Sequence, residues 1–234
     1  MIPLRDTIPS RTVPFVNTSL IVLCVGAFLL ELLQGEQVDD FIQTFAFVPL
    51  RFFQPGLYEG WTFGANLVTV FTAMFLHGGF LHLGGNMLYL WIFGDNVEDA
   101  LGHFRYLVFY LGSGVLATLS QAVLTASSNV PNLGASGAIA GVLGAYLLLY
   151  PRARIVTLVP LFILFPLVEV PAALYLIFWF VLQFWSGSAA LLSAHQGAAG
   201  GVAWWAHIGG FVSGLLLVSL LRPKRRPAPA YRQL

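Results

Sequence analysis

Apolar residues in this chain come in long unbroken runs divided by short polar punctuation, instead of alternating with polar residues at the helical or strand period of a half-buried surface. Six runs are long enough to suggest bilayer spans, at about 15–34, 80–94, 104–126, 134–150, 155–185 and 202–221. The fifth is too long for one perpendicular helix and holds Pro160, Pro166 and Pro171, so it is predicted to be tilted, kinked or broken. Residues 35–79 mix Phe, Trp, Pro and Gly with few charges and are predicted to form a loop lying in the membrane interface. The stretch SGSAALLSAHQGAAGG, 186–201, is small and flexible in composition, joins the last two spans and suits a lid. The pattern predicts an all-α integral membrane protein with six transmembrane helices. It forms a single membrane domain over 1–234, with its core at about 15–221 and a basic tail at 222–234.

Composition sharpens this picture. Of 234 residues, 58% are apolar and 9% charged, where a soluble domain carries nearer a quarter charged. A net charge of +1 gives no footprint for nucleic acid. The one cysteine, Cys24, lies inside the first run, can form no internal disulfide and binds no metal alone. No small-residue cleavage site follows that run, which is read as a retained helix. Arg5 and Arg11 precede the first run, Arg152 and Arg154 follow the fourth, and RPKRRPAPAYRQL follows the sixth. Six spans put all three clusters on one side, predicted to be the cytoplasm, and leave the acidic 31–61 segment outside.

Candidate chemistry enters with the polar residues inside the runs. With this topology the second, fourth and sixth spans cross in the same direction, so residues near their N-termini share one depth. The second opens HGGFLHLGGNMLYL with His77, His82 and Asn86, the fourth GASGAIAGVLG with Ser136, and the sixth WWAHIGGFVSG with His207. His82 and Asn86, four apart, share a helix face. Polar groups at bilayer depth are costly unless they face a cavity or one another, so their convergence points to a site. Serine needs a neighbouring base to act as a nucleophile, and His207 is of the right type at a compatible depth. His82, Asn86 and the Ser136 backbone N–H are candidate donors to an oxyanion. No carboxylate joins the cluster, which predicts a Ser136–His207 dyad with the imidazole held by aromatic packing or a backbone carbonyl. Gly137 and Gly141, like Gly210 and Gly214, are four apart and would let the fourth and sixth spans approach closely.

GASG around Ser136 followed by xxxGxxGAY, HGGFLHLGGN in the second span and AHIGGFVSG in the sixth together resemble the rhomboid family of intramembrane serine proteases. The resemblance covers roughly residues 45–221. It implies that Ser136 attacks, His207 is the base, His82 and Asn86 hold the oxyanion, Gly134 shapes that hole and His77 supports it, with no cofactor. Glu98 and Gly102 in VEDALG match the family's turn after the second span. Two positions depart from many relatives: Val68 and Thr69 stand in place of a Trp-Arg pair, and Ala140 stands where some carry a tyrosine that stacks on the histidine.

The function expected is cleavage of a peptide bond in or beside a transmembrane helix of another protein, the lipid bilayer being the second partner. The rival readings are a small transporter or channel and an inactive relative that binds membrane clients. The spans show no obvious internal repeat, and Ser136 and His207 are both present. Neither HExxH nor an aspartyl pair occurs, and His77, His82 and His103 make no metal set. His103 and His195 are assigned nothing, and Glu169 is read as a carboxyl near the outer mouth where the fifth span breaks.

Overall fold

The computed structural model describes residues 1–160, 164–194 and 202–223. Strand β1 (Ile2–Asp6) leads into helices α1 (Phe15–Leu33), α2 (Val38–Phe45), α3 (Pro49–Phe53), α4 (Phe63–Thr72), α5 (Phe80–Leu101), α6 (His103–Leu124) and α7 (Ser136–Leu149). Strands β2 (Arg154–Leu158) and β3 (Leu167–Pro171) follow, then helices α8 (Ala172–Ala194) and α9 (Trp204–Leu221). Among the described residues four helices, α1, α6, α8 and α9, are long and apolar enough to cross a membrane. Helix α5 is 22 residues long but carries Asp95, Glu98 and Asp99 in its last turns, and α7 has only 14 residues.

Helix α7 is the centre of the bundle. Every residue from Gly137 to Tyr146 is buried, as expected of a helix that is small and apolar all round. Its backbone lies directly against α9. A Cβ on Gly210 would fall 2.0 Å from the Gly137 carbonyl oxygen, and one on Gly214 2.0 Å from that of Gly141. On the α6 side a Cβ on Gly141 would meet Ser113 at 2.5 Å. Without side chains at these points, the helices come within backbone contact and gain dispersion along the whole crossing.

At its far end α1 is tied to α5. The α1 N-terminus has no cap of its own, and the buried Glu98 carboxylate accepts from the Val16 and Asn17 amides at 3.0 and 2.7 Å. Unpaired first-turn N–H groups are thereby satisfied. Asn17 in turn donates to the Leu90 carbonyl and accepts from Tyr106, at a crossing where Gly94 leaves room for it. Gly102, at φ +80°, allows the sharp turn from α5 into α6.

Five expectations are corrected. The chain is mostly helical, not all-α: β1, β2 and β3 form an antiparallel sheet in that order, at the end of α7 away from Ser136. Residues 155–185 are therefore not one broken span. Arg154–Leu158 buries Ile155 and Thr157 at alternate positions, Val159 N–H bonds Pro166 C=O at 3.1 Å across the hairpin, and a helix begins only after Pro171. An open sheet cannot sit in hydrocarbon, where its edge groups would go unpaired. Glu169 lies in β3, 3.9 Å from Arg154 with both side chains exposed, so it stands opposite the site and not at its mouth. The 35–79 segment is not a simple loop but holds α2, α3 and α4, and α8 runs to Ala194, so the first part of the 186–201 segment is helix. His195, the rest of that segment and 224–234 of the tail lie outside the described residues.

Candidate active site

Ser136 is the first residue of α7 and is partly exposed; His207 lies in the first turn of α9 and is buried. The Gln121 side chain on α6 fixes the start of α9, accepting from the Trp205 and Ala206 amides at 3.1 and 3.2 Å. Ser136 Oγ and His207 Nε2 stand 2.8 Å apart. The other ring nitrogen, Nδ1, faces the Oε1 of Gln183 on α8, also at 2.8 Å. A carbonyl oxygen only accepts, so Nδ1 carries the proton and Nε2 presents its lone pair to the serine hydroxyl. Trp179 lies tilted against the imidazole with centroids 5.9 Å apart, and Trp204 meets it edge-on at 6.1 Å.

On the other side of Ser136, the chain passes through Gly134 at φ +121°, a conformation natural only to glycine. A Cβ there would lie 2.8 Å from the His82 ring and 3.7 Å from Asn86 Nδ2, so the missing side chain leaves space in front of both. Asn86 Nδ2 is buried and has no hydrogen-bond partner among the described residues. His82 Nδ1 accepts from the Gly78 N–H at 3.3 Å, which places the ring proton of the neutral imidazole on Nε2. The His82 ring and the Asn86 amide nitrogen thus face Gly134, two residues before Ser136 and the start of α7. A developing negative charge placed there would be stabilised.

His77 is fully buried, with its ring 5.2 Å from that of His82. Its Nδ1 pairs with the Phe75 carbonyl and its backbone N–H donates to the buried Glu31 carboxylate of α1 at 3.0 Å. Glu31 therefore holds the turn from which Gly78 reaches His82.

The segment before α5 props up the chain leading to Ser136. Phe47 and Asn132 exchange backbone hydrogen bonds at 3.1 and 2.7 Å, Leu50 N–H bonds Ser128 C=O, and Gly134 N–H bonds Ala73 C=O at 2.8 Å. Buried Arg51 ties this segment together. It donates to Asn66 and to the Gln43 and Ala46 carbonyls, with its guanidinium 3.5 Å above the Trp61 ring. A cavity of about 30 Å³, bounded by Gln121, Asn132, Gly134 and Ser136 among others, can hold a water molecule. A wider cleft of about 550 Å³, beside Arg51, Tyr58 and Trp61, contains none of the Ser136 cluster.

The structure thus gathers Ser136, His207, His82, Asn86, Gly134 and His77 at one end of the bundle. Sequence reasoning missed Gln183, Trp179, Glu31 and the Arg51–Asn66 anchor. Gln183 carried a usable signal, as an amide inside the apolar and aromatic run from Leu174 to Trp185. The anchor stands in a region where Val68 and Thr69 gave no hint of one.

A multi-pass helical membrane protein with a serine and a histidine joined at one end of its bundle is a narrow class. The Rhomboid domain model matches residues 64–224, and the chain belongs to the rhomboid family. It is 31% identical over 176 residues to Rhomboid protein 1, mitochondrial, of Saccharomyces cerevisiae, a match covering 71% of this chain and 45% of that one. With Rhomboid protease GluP of Bacillus subtilis it shares 43% identity over 76 residues, 32% of this chain and 14% of the relative. With the Bos taurus presenilin-associated rhomboid-like protein, mitochondrial, it shares 34% over 91 residues, 38% and 24% respectively. These matches span less than half the length of each relative.

Proposed function

We propose that this chain is an intramembrane serine endopeptidase that cleaves peptide bonds in or next to transmembrane helices of other proteins. The observation that carries the reading is the 2.8 Å contact between Ser136 Oγ and His207 Nε2, with Nδ1 engaged on its far side. In the first step Oγ bonds to the scissile carbonyl carbon, the hydroxyl proton passes to Nε2, and the carbonyl oxygen takes the electron pair. Asn86 Nδ2–H, His82 Nε2–H and the Ser136 N–H hold that oxyanion in the space left by Gly134. Collapse breaks the C–N bond as the imidazolium returns its proton to the leaving amine. Water, activated by the same imidazole, then releases the acyl group as a carboxylate. His77 supports the donors from behind, and the paired glycines 137, 141, 210 and 214 keep Ser136 within reach of His207.

In this reading α1, α5, α6, α7, α8 and α9 are six spans, with both described ends of the chain and the sheet on the cytoplasmic side. Arg5, Arg11, Arg152, Arg154 and Arg222 all lie at the sheet end, as the positive-inside rule asks, and Ser136 faces the outer half of the membrane. At about 21 Å, the 14-residue α7 is shorter than the hydrocarbon layer, so Ser136 lies below the outer surface. A helical substrate hides its carbonyls in its own hydrogen bonds and must unwind locally. Sites with small or helix-breaking residues near the outer face are therefore cut best.

Reaction with a fluorophosphonate tests the nucleophile. Purified wild-type protein should form a covalent adduct on the peptide that contains Ser136, and His207→Ala should react at least about 10³-fold more slowly. An adduct elsewhere, or an equal rate without His207, would contradict the assignment.

A further inference from the structure

Resting on the protease reading, we infer that Gln183 is a positioning residue for the base, an uncharged third member that stands where soluble serine hydrolases place a carboxylate. A Ser-His pair has a recurrent weakness. A neutral imidazole has two tautomers, and only the one protonated on Nδ1 can take the serine proton through Nε2. Among the described residues no carboxylate bonds to His207; Nδ1 faces Gln183 Oε1 at 2.8 Å, and both side chains are more than nine-tenths buried. The amide selects the tautomer without bringing a charge into the membrane, where desolvating a carboxylate would be costly.

Gln183 also sits on a helix of its own. Helices α7 and α9 meet backbone to backbone through their glycines. Helix α8 meets α9 through side chains: Trp179 and Phe180 pack on Phe211, and Phe184 meets Trp205 edge-on. Near its start, Tyr175 of α8 shares a hydroxyl hydrogen bond with Tyr89 of α5 at 2.7 Å. Docking of α8 therefore completes the base, and the base is correctly tautomerised only while α8 is in place. The groups facing His207 are Ser136 from α7, Gln183 and Trp179 from α8 and Trp204 from its own helix, with His82 of α5 acting on it electrostatically.

The test is the pH dependence of fluorophosphonate reaction at Ser136. This probe is small and needs no substrate helix to enter, so it separates orientation of the base from admission of substrate. Gln183→Leu keeps the volume and loses the acceptor. It should slow the reaction by about 10²-fold at neutral pH with an unchanged melting temperature. Gln183→Glu restores the acceptor and gives the pair a second place for a proton, so the protonation that silences the base should occur about one pH unit or more higher. A Leu variant that reacts at the wild-type rate, or a folded Glu variant with an unmoved acid limb, overturns the inference while leaving the Ser136–His207 dyad standing. No reaction in the wild type would instead overturn the protease reading, and this inference with it.

Discussion

Each side chain at the site has its partner on a different element. Ser136 begins α7, His207 sits on α9, Gln183 on α8, and the donors His82 and Asn86 on α5. Asn86 Nδ2 is buried without a partner among the described residues, which costs free energy that an oxyanion would recover in the proposed mechanism. Asn86→Ala is therefore expected to lower kcat by about 10²–10³-fold with little change in KM, measured on a single-span reporter substrate. An unchanged kcat would remove Asn86 from the oxyanion site. Glu31 acts at one remove: Glu31→Ala releases the His77 backbone and should lower activity less than Asn86→Ala does, while Glu31→Gln, which keeps an acceptor, should retain most of it. Ser136, His207, His82 and Asn86 were legible in the sequence because a polar residue in an apolar run has few innocent explanations. Gln183 and Glu31 satisfy the same criterion but lack a motif around them, and only packing shows what they face.

Among the elements, the α7–α9 crossing is the most sharply determined. Gly214→Ala would put a methyl group 2.0 Å from a backbone oxygen, so the helices must part. A shift of about 1 Å at the dyad costs on the order of 10²-fold in rate, and we expect Gly214→Ala to lose activity and melting temperature together. Gly26, with open space around it, serves as the neutral control. The Gly-xxx-Gly spacing made this crossing readable in advance. The sheet was not: Arg154–Leu158 and Leu167–Pro171 are as apolar as a span, and composition cannot distinguish a strand hairpin from a kinked helix when prolines punctuate it. Strand β1 is secured to the bundle by Asp6, which accepts from Tyr146 and from Asn96. Burial pushes the Asp6 carboxyl above the usual carboxylate range, with the Tyr146 bond working the other way. A raised folded-state value means that the stability contributed is fully present below the unfolded value near 4 and is lost as pH rises through the folded one. Wild-type protein should thus lose melting temperature over that interval relative to Asp6→Asn, and parallel melting curves across pH would contradict the burial of this charge.

For the whole molecule, two ends divide the labour. One carries the sheet, the Glu98 cap and Arg5, Arg11, Arg152 and Arg154; the other carries the candidate cluster around Ser136, buttressed by the Arg51-anchored helices α2–α4. Long apolar runs were readable as a multi-pass membrane protein, whereas the folding of 35–79 into three short helices around Arg51 depends on contacts distant in sequence. Cys24 is buried, so introduced cysteines report orientation without interference. Arg152→Cys is expected to react with an impermeant maleimide only from the cytoplasmic face and Glu36→Cys only from the outer one; the reverse pattern would invert the proposed topology. The most direct measurement of the central claim is cleavage of a single-span substrate by the purified protein in liposomes, comparing wild type with Ser136→Ala and His207→Ala. The expected result is a single cut that EDTA does not affect and that falls by at least about 10³-fold in both variants while they remain folded. Cleavage persisting in a folded Ser136→Ala protein would contradict it.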